Sequence, residues 1–233
     1  MSNSSVSLYF DDYNESYFLI RFGKKEYLEE IQSGKIRFST LMKYRSIENN
    51  NIGDMDEGLT SIHYTDDNTK ILYSHPCINN GKAIDVTGAI LSIRDYPNTN
   101  IYISCFSYFT AKDVFDKNIF SDSILEEKEW DSVLFILDTK EFIENIKKSL
   151  IKYVPVFHKV QYLDYNINQE NLNAFSKSSK FEHQKEFRCA FKLVDEANSY
   201  IKRIDSETIE VCFESVKSVI IPTKEFREGF YLQ

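Results

Sequence analysis

The most regular alternation of apolar and polar residues along the chain lies in residues 180–193. In its second half every other residue is apolar: Phe187, Cys189, Phe191 and Leu193. A period of two predicts a strand with one face in the core and the other in polar surroundings. If the strand begins slightly earlier, Gln184, Glu186 and Arg188 project together from that other face. The pattern therefore predicts an amide, a carboxylate and a guanidinium in one row, and taken alone it favours a solvated strand face over a functional site.

Similar patterns predict strands along most of the chain, at residues 17–22, 36–38, 59–64, 70–74, 83–86, 101–109, 133–137, 154–162, 208–213 and 216–221. The first of these places Arg21 at the end of an otherwise apolar strand. In residues 101–109, a regular strand would place Ser104 and Ser107 on opposite faces. The turn-forming residues Asp66, Asp67 and Asn68 predict a hairpin between the strands on either side.

Helices are predicted at fewer places. The apolar stripe of residues 24–33 predicts a helix, and Gly34 is the residue expected to stop it. Ser39 or Thr40 could cap a second, brief helix after the strand at residues 36–38. Asp138 and Glu141 have the spacing of a capping box before a longer helix. Many strands with two or three helices predict an α+β fold for residues 1–233 as a single domain, with a mainly antiparallel mixed sheet.

Composition narrows the class of protein. The 233 residues are 42% hydrophobic and 15% aromatic, with only 7 Gly and 4 Pro, as expected for a folded globular chain. The formal net charge of −8 weighs against a general nucleic-acid binder, because phosphate contacts need clustered lysine and arginine. An acidic nucleotide needs only one or two well-placed cations, so a nucleotide ligand remains compatible with this charge.

The cysteines and the amino-terminal residues indicate the cellular compartment in which we expect the protein. Four cysteines are widely spaced and form no CxxC pair, so we expect no structural zinc site and reduced thiols. The first residues lack the pattern of a signal peptide, and no apolar stretch approaches a membrane span. A reducing cytoplasm is the expected compartment.

Common catalytic motifs are absent. The chain contains no GxGxxG, Walker, GxSxG or HExxH motif. The acidic residues Asp54, Asp56 and Glu57 lack the complete ligand spacing of a calcium loop, and a polar turn explains them better. Asp138 and Lys140 have the Asp-x-Lys spacing of some metal-dependent nucleases, although helix capping by Asp138 is the simpler explanation. We expect no metal site.

The order of several short motifs resembles an uncharacterised bacterial family, some of whose members are associated with abortive phage infection. The shared motifs are a Gly-x-Ile-x-Phe-Ser segment at residues 34–39, an acidic loop at 53–57, a Cys-Phe-Ser strand at 105–107 and an aromatic-x-x-(Gln/Glu)-x-Glu-aromatic-Arg segment at 181–188. The last motif is the most specific of the four. The resemblance covers most of the chain and implies a role in phage defence.

The same order also resembles the Arg–Ser–Glu pattern of ADP-ribosyltransferases and implies their fold, with NAD as substrate. By this resemblance Arg21 and Arg188 would contact the NAD diphosphate, since guanidinium groups bind phosphates through paired hydrogen bonds. Ser104 or Ser107 would orient the nicotinamide ribose. Glu186 would stabilise the positive charge that develops as nicotinamide leaves. Gln184 would position the acceptor.

Two functions of different classes therefore remain open. The first is an NAD-dependent ADP-ribosyltransferase-like enzyme or NAD glycohydrolase, acting as a toxin or phage-defence effector. The second is a non-catalytic phage-defence module that senses a ligand or binds a protein partner, which the high aromatic content favours. A metal-dependent nuclease built on Asp138 and Lys140 is a third interpretation.

Overall fold

A computed structural model describes residues 9–10, 16–46, 54–65, 72–73, 82–94, 101–110, 113, 130–193, 201–205 and 207–227. The strands are β1 (Tyr9–Phe10), β2 (Ser16–Gly23), β3 (Lys35–Thr40), β4 (Ser61–Tyr64), β5 (Leu72–Tyr73), β6 (Ile84–Asp85), β7 (Ile90–Ile93), β8 (Ile101–Thr110), β9 (Ser132–Ile136), β10 (Val156–Lys159), β11 (Gln161–Leu163), β12 (Ser176–Ser178), β13 (Glu186–Lys192), β14 (Ile201–Arg203), β15 (Thr208–Cys212) and β16 (Ser218–Pro222). The α-helices are α1 (Lys25–Gln32), α2 (Leu41–Arg45), α3 (Thr139–Ser149) and α4 (Thr223–Arg227), with 3₁₀ helices at Ile151–Tyr153 and Ser179–Gln184.

The fold is α+β, and its main sheet has ten strands whose pairings are all antiparallel. Strand β8 lies near its centre and pairs along one edge with β13, which in turn pairs with β10. The other edge of β8 pairs with both β2 and β3. From β2 the sheet continues through β9 to β16, and from β3 it continues through β15 to β14. Three two-stranded sheets lie outside this assembly, and one of them, β11 with β12, is parallel.

Strand β8 is shared between two different neighbours along its second edge. The beginning of β8 pairs with β3, where Ile103 lies opposite Ser39. The end of β8 pairs with β2, where Ser107 lies opposite Ile20. Between these two pairings, residues 104–106 have no partner among the described strands on that edge. The sheet therefore opens into a gap between β2 and β3.

One face of the sheet carries the larger core. Helix α3 buries Phe142, Ile143 and Ile146 against aromatic and aliphatic residues of β2, β8 and β13. Asp138 caps this helix by accepting a hydrogen bond from the Glu141 N–H (2.9 Å), which confirms the predicted cap. Helix α1 adds Leu28 to the same core. No described helix combines the length and apolar character needed to cross a membrane.

Most predicted elements are confirmed, with small shifts at their ends. The single strand predicted at residues 154–162 is wrong, because this segment forms two strands, β10 and β11, that belong to different sheets. The predicted helix 24–33 is Lys25–Gln32, and the brief helix after β3 is capped by Thr40, whose side chain accepts a hydrogen bond from the Lys43 N–H. Among the described residues, the α-helix that the sequence did not predict is α4, which has only five residues.

The predicted hairpin of residues 59–64 with 70–74 is wrong. Strand β4 pairs with β7, and β5 pairs with β6 instead. Periodicity predicts that a segment is a strand, but it does not identify the strand with which that segment pairs. The sequence pattern therefore cannot distinguish a hairpin of β4 with β5 from a β5–β6 hairpin inserted between β4 and β7. The predicted turn at residues 66–68 lies outside the described residues.

The prediction of one strand through Gln184, Glu186 and Arg188 needs correction. Residues Ser179–Gln184 form a 3₁₀ helix, which ends at Lys185 in the left-handed conformation, with φ of +43°, before β13 begins at Glu186. The apolar side of β13 enters the core as expected, with Phe187, Cys189 and Phe191 all buried. Its polar side is also buried, with Arg188 only 1% exposed, so the solvated-face interpretation is wrong.

Replacing Gly34 with alanine should destabilise the fold strongly. Gly34 has φ of +87°, and an added Cβ would lie 2.3 Å from the Phe213 carbonyl oxygen and 2.4 Å from that of Glu214. The left-handed conformation alone costs about 1–2 kcal/mol for alanine, and the backbone contacts add to it. We expect a fall in Tm of at least about 4 °C by differential scanning fluorimetry. Gly23→Ala is the matched control, since its Cβ would lie 3.3 Å from a movable Leu28 methyl group. Equal losses in the two variants would contradict this explanation.

Candidate ligand-binding cleft and buried ion network

The gap between β2 and β3 is the mouth of a cleft with a volume of about 290 Å³. Helix α1 forms one wall, because it follows β2 directly and leads back into β3. The lining residues come from β2, α1, β3, β8 and the segment before β9: Arg21, Phe22, Gly23, Lys24, Tyr27, Leu28, Glu30, Ile31, Lys35, Ile36, Arg37, Ser104 and Trp130. Two of the residues predicted to bind the cofactor, Arg21 and Ser104, therefore meet in one cleft.

The strand register explains why Arg21 and Ser104 face the same side. Directly opposed residues of an antiparallel pair project from the same face. Ile20 is opposite Ser107, so the next residue, Arg21, projects from the other face, which is the face of Ser104. The pairing of β2 with β8 ends at Ile20, and the Arg21 side chain extends beside the unpaired part of β8. Its guanidinium lies over the Phe106 ring, 5.7 Å from the ring centroid.

The cleft is positively charged within an acidic protein. Four cationic side chains, Arg21, Lys24, Lys35 and Arg37, line it together with one carboxylate, Glu30. Arg37 is held by Glu30 at 2.7 Å. Among the described residues, the side chains of the other three cations form no hydrogen bond or ion pair. Three cations without counter-charges in a concave site create the conditions that attract a phosphate-bearing ligand.

Aromatic groups and a hydroxyl complete the lining. The Trp130 ring is stacked on Phe22, with 5.5 Å between centroids. Tyr27, on α1, is about half exposed and carries the Arg37 guanidinium over its ring at 5.1 Å. The Ser104 hydroxyl supplies a neutral donor and acceptor. Flat aromatic surfaces beside a cluster of cations suit a ligand that combines a ring system with phosphate groups.

The other face of the sheet holds a network of buried charges. Arg188 binds Glu57 through two nitrogens, at 2.6 and 3.0 Å, and its Nε binds Glu186 Oε2 at 2.7 Å. Lys177 Nζ binds Glu186 Oε1 at 2.6 Å and Gln184 Oε1 at 2.7 Å. Two cations and two carboxylates thus neutralise one another beneath the turn at residues 54–58.

This network fixes the protonation state of Glu186. Burial by itself would raise the pKa of its carboxyl group, but the charges of Arg188 and Lys177 outweigh burial and lower the pKa to about 2. The stabilisation from this group is therefore present above pH 4.5 and is lost as the pH falls through about 2. Glu186 is an anion at neutral pH, with both carboxylate oxygens bound to cations.

The six predicted site residues divide between the two faces. Ser107 lies opposite Glu186 in the β8–β13 pairing, and its hydroxyl donates to the Gln184 carbonyl oxygen at 2.9 Å. Ser104 lies opposite Cys189 on the core side. Gln184, Glu186, Arg188 and Ser107 thus form one group, and Arg21 with Ser104 forms the other, which confirms the expectation that the two serines face opposite sides.

The charges of Arg21 and of the network both act on two side chains, Cys105 and Tyr44. Burial raises the pKa of Cys105 to about 12, and the charge of Glu186 contributes in the same direction while Arg188 and Arg21 oppose it. Burial also raises the pKa of Tyr44, which experiences the charges of Arg21, Glu186 and Arg188 as well. Both groups are therefore uncharged at neutral pH. Cys105 lies opposite Arg188 in the β8–β13 pairing and directly follows Ser104, which lines the cleft, so the two sites adjoin on opposite faces of β8.

Two members of the network, Glu57 and Lys177, are not predicted as site residues from the sequence. Glu57 was interpreted as part of a polar turn, yet it is 2% exposed and binds Arg188 across a sequence separation of 131 residues. Lys177, also 2% exposed, was not identified at all. The one available signal was the acidic loop at residues 53–57 in the motif order. Lysine in a polar segment carries no sequence signal of burial, since lysines are usually exposed.

Asp54 is the uncompensated carboxylate beside this network. Its Oδ1 accepts a hydrogen bond from the Asp56 N–H at 2.9 Å, whereas its buried Oδ2 has no hydrogen-bond partner. Burial raises the pKa of Asp54, and the nearby charge of Glu57 adds to this shift. A buried oxygen without a partner costs free energy when the group is ionised.

No family model, curated protein or solved structure matches this chain.

We predict that Asp54→Asn stabilises the protein at neutral pH. The amide keeps the acceptor for Asp56 and removes the buried charge, which should raise Tm by about 2–4 °C, or about 1 kcal/mol. Because the folded state raises the pKa of Asp54, its contribution to stability is full below its ordinary value of 3.8 and is lost as the pH rises through the folded value. The Tm difference between variant and parent should therefore grow from pH 4 to pH 8 in thermal melts. A constant difference across this range, or a lower Tm at pH 8, would contradict the assignment. Asp164→Asn, at an exposed turn, is the control.

Proposed function

We propose that this protein binds an anionic nucleotide in the cleft between β2 and β3, and that the nucleotide is NAD. The observation that carries the proposal is the set of three cations without counter-charges, Arg21, Lys24 and Lys35, around one concave site. A chain with a net charge of −8 concentrates positive charge at this place. Clefts lined by one sign of charge focus the electrostatic potential and raise the local concentration of a ligand of opposite charge.

The roles follow from chemistry at each position. Arg21 would bind the diphosphate through two parallel hydrogen bonds, and Lys24 and Lys35 would supply point charges. Ser104 would bind a ribose hydroxyl. Trp130 and Tyr27 provide flat surfaces for a base. The cleft volume of about 290 Å³ is at the lower end of the range of about 300–1,000 Å³ that ligand pockets commonly enclose. We therefore expect the cleft to enclose only part of a dinucleotide.

Nucleotide binding should depend on Arg21. We expect Arg21→Ala to weaken NAD binding at least about tenfold in isothermal titration calorimetry, because a hydrogen bond to a charged group contributes about 1.5–3 kcal/mol. Arg21→Lys should recover only part of the loss, since an ammonium group cannot bind a diphosphate through two parallel bonds. Lys140→Ala, which removes an exposed cation from α3, should leave the Kd unchanged. Equal weakening by Arg21→Ala and Lys140→Ala would contradict a local site, and absence of NAD binding by the parent protein would contradict the proposal.

A second candidate function is consumption of NAD by an ADP-ribosyltransferase-like fold. It is supported by the placement of the three motif strands, since β2 with Arg21 and β13 with Glu186 pair with opposite edges of β8, which carries the two serines. In such a reaction the bond between ribose C1 and nicotinamide breaks, and a protein acceptor or water forms the new bond at C1. The ionised Glu186 would stabilise the positive charge that develops on the ribose, and Gln184 would position the acceptor.

The contacts of Glu186 favour binding over catalysis. Both of its carboxylate oxygens already bind cations, Lys177 and Arg188, and it lies on the face opposite Arg21 and Ser104. Catalysis would require the ribose to reach the face opposite the cleft and Glu186 to exchange one of these contacts for it. A nucleotide-sensing module requires no such exchange and is the function that we place first. A role in phage defence or toxin action rests on the resemblance in motif order.

Nicotinamide release separates these two functions. If the protein consumes NAD, Glu186→Gln should lower the rate of nicotinamide release at least about 100-fold, because it removes the charge that stabilises the transition state. Glu182→Gln, an exposed substitution four residues earlier, should retain the parent rate. Thermal melts check that both variants fold. An unchanged rate in Glu186→Gln would contradict the catalytic role, and NAD binding without any nicotinamide release by the parent would establish a non-catalytic site.

A further inference from the structure

Glu30 is the only carboxylate among the described residues that line the cleft. It lies on α1, one turn after Tyr27, and both side chains are on the helix face that borders the cleft. The neighbouring carboxylate Glu29 does not line the cleft and is paired with Lys25 at 3.8 Å on the outer surface. One acidic group therefore stands inside a cationic site, where electrostatics alone would favour a neutral or basic residue.

Glu30 is held in place by Arg37. The Arg37 guanidinium binds Glu30 Oε2 at 2.7 Å and lies over the Tyr27 ring, 5.1 Å from its centroid. Both charged side chains remain accessible, with exposures of 45% for Arg37 and 37% for Glu30. The three residues form a small assembly on the wall of the cleft, in which a carboxylate and a guanidinium are both within reach of one ligand group.

A carboxylate beside phosphate-binding cations has a known chemical use. In dinucleotide sites an acidic side chain accepts hydrogen bonds from the ribose hydroxyls, whereas an arginine accommodates a 2′-phosphate. A 2′-phosphate placed next to a carboxylate suffers like-charge repulsion. When the carboxylate is paired with the arginine, that arginine is also prevented from binding the extra phosphate.

We propose that Glu30 determines ligand specificity: it accepts hydrogen bonds from a free ribose diol and excludes nucleotides that carry a 2′-phosphate. Arg37 orients Glu30 while the pair is intact. Removal of the negative charge at position 30 releases Arg37 to bind a 2′-phosphate. The substrate class is therefore a nucleotide with an unmodified adenosine ribose, such as NAD, rather than its 2′-phosphorylated counterpart NADP. This inference rests on the proposed nucleotide binding at the same cleft.

The test compares the Kd values of NAD and NADP for the 233-residue chain. We expect the parent to bind NAD at least about tenfold more tightly than NADP, and Glu30→Gln to lower the ratio of Kd(NADP) to Kd(NAD) by about tenfold or more. Glutamine has a similar size and keeps one acceptor oxygen. Adding Arg37→Ala to Glu30→Gln should abolish the gain in NADP binding, because the released guanidinium is then absent.

Glu29→Gln is the matched control, since it removes the same charge from the same helix outside the cleft. It should leave the ratio at the parent value. A ratio that is the same in Glu30→Gln as in the parent overturns the inference while the proposed nucleotide binding stands. A parent protein that binds neither NAD nor NADP overturns both. Equal shifts in Glu29→Gln and Glu30→Gln show a general charge effect and also overturn the role of Glu30.

Discussion

The incomplete pairing of β8 is the constraint on which the rest of this structure depends. One edge of this strand is paired over seven residues with β13, but its other edge is divided between β3 and β2. Because two strands share one edge and diverge, residues 104–106 are left beside a gap. The gap admits Arg21 and forms the cleft, whereas the edge that pairs without interruption with β13 brings Glu186 and Arg188 under the turn at residues 54–58. Both charged sites follow from this one arrangement.

The two sites treat charge in opposite ways. On one face Arg188 and Lys177 are buried and fully matched by Glu57 and Glu186. Such a network contributes little net stability over apolar packing, but the loss of one member leaves an uncompensated charge that costs about 3–5 kcal/mol. Its main structural effect is to connect the turn at residues 54–58 to β13 through the contact between Glu57 and Arg188. In the cleft three cations stay accessible and unmatched among the described residues, which favours a ligand as their counter-charge.

Local patterns anticipated the elements well because their causes are local. The apolar alternation of Phe187, Cys189 and Phe191 is a property of consecutive residues, and it led to a correct strand. The cap at Asp138 and the helix end at Gly34 depend on neighbours within four residues. In contrast, the 3₁₀ helix at Ser179–Gln184 was missed, because alternation of residue types alone cannot distinguish a strand from a turn that precedes it.

By itself, the sequence determined an α+β fold with a mainly antiparallel sheet and the two opposite faces of β8. Only the tertiary structure decided which distant charges meet. The contact of Arg188 with Glu57 spans 131 residues, and the separation of Arg21 and Ser104 from Glu186 follows from strand register. Periodicity specifies which face a side chain takes within its own strand. The choice of partner strand depends on the packing free energy of the whole sheet, to which residues from every part of the chain contribute.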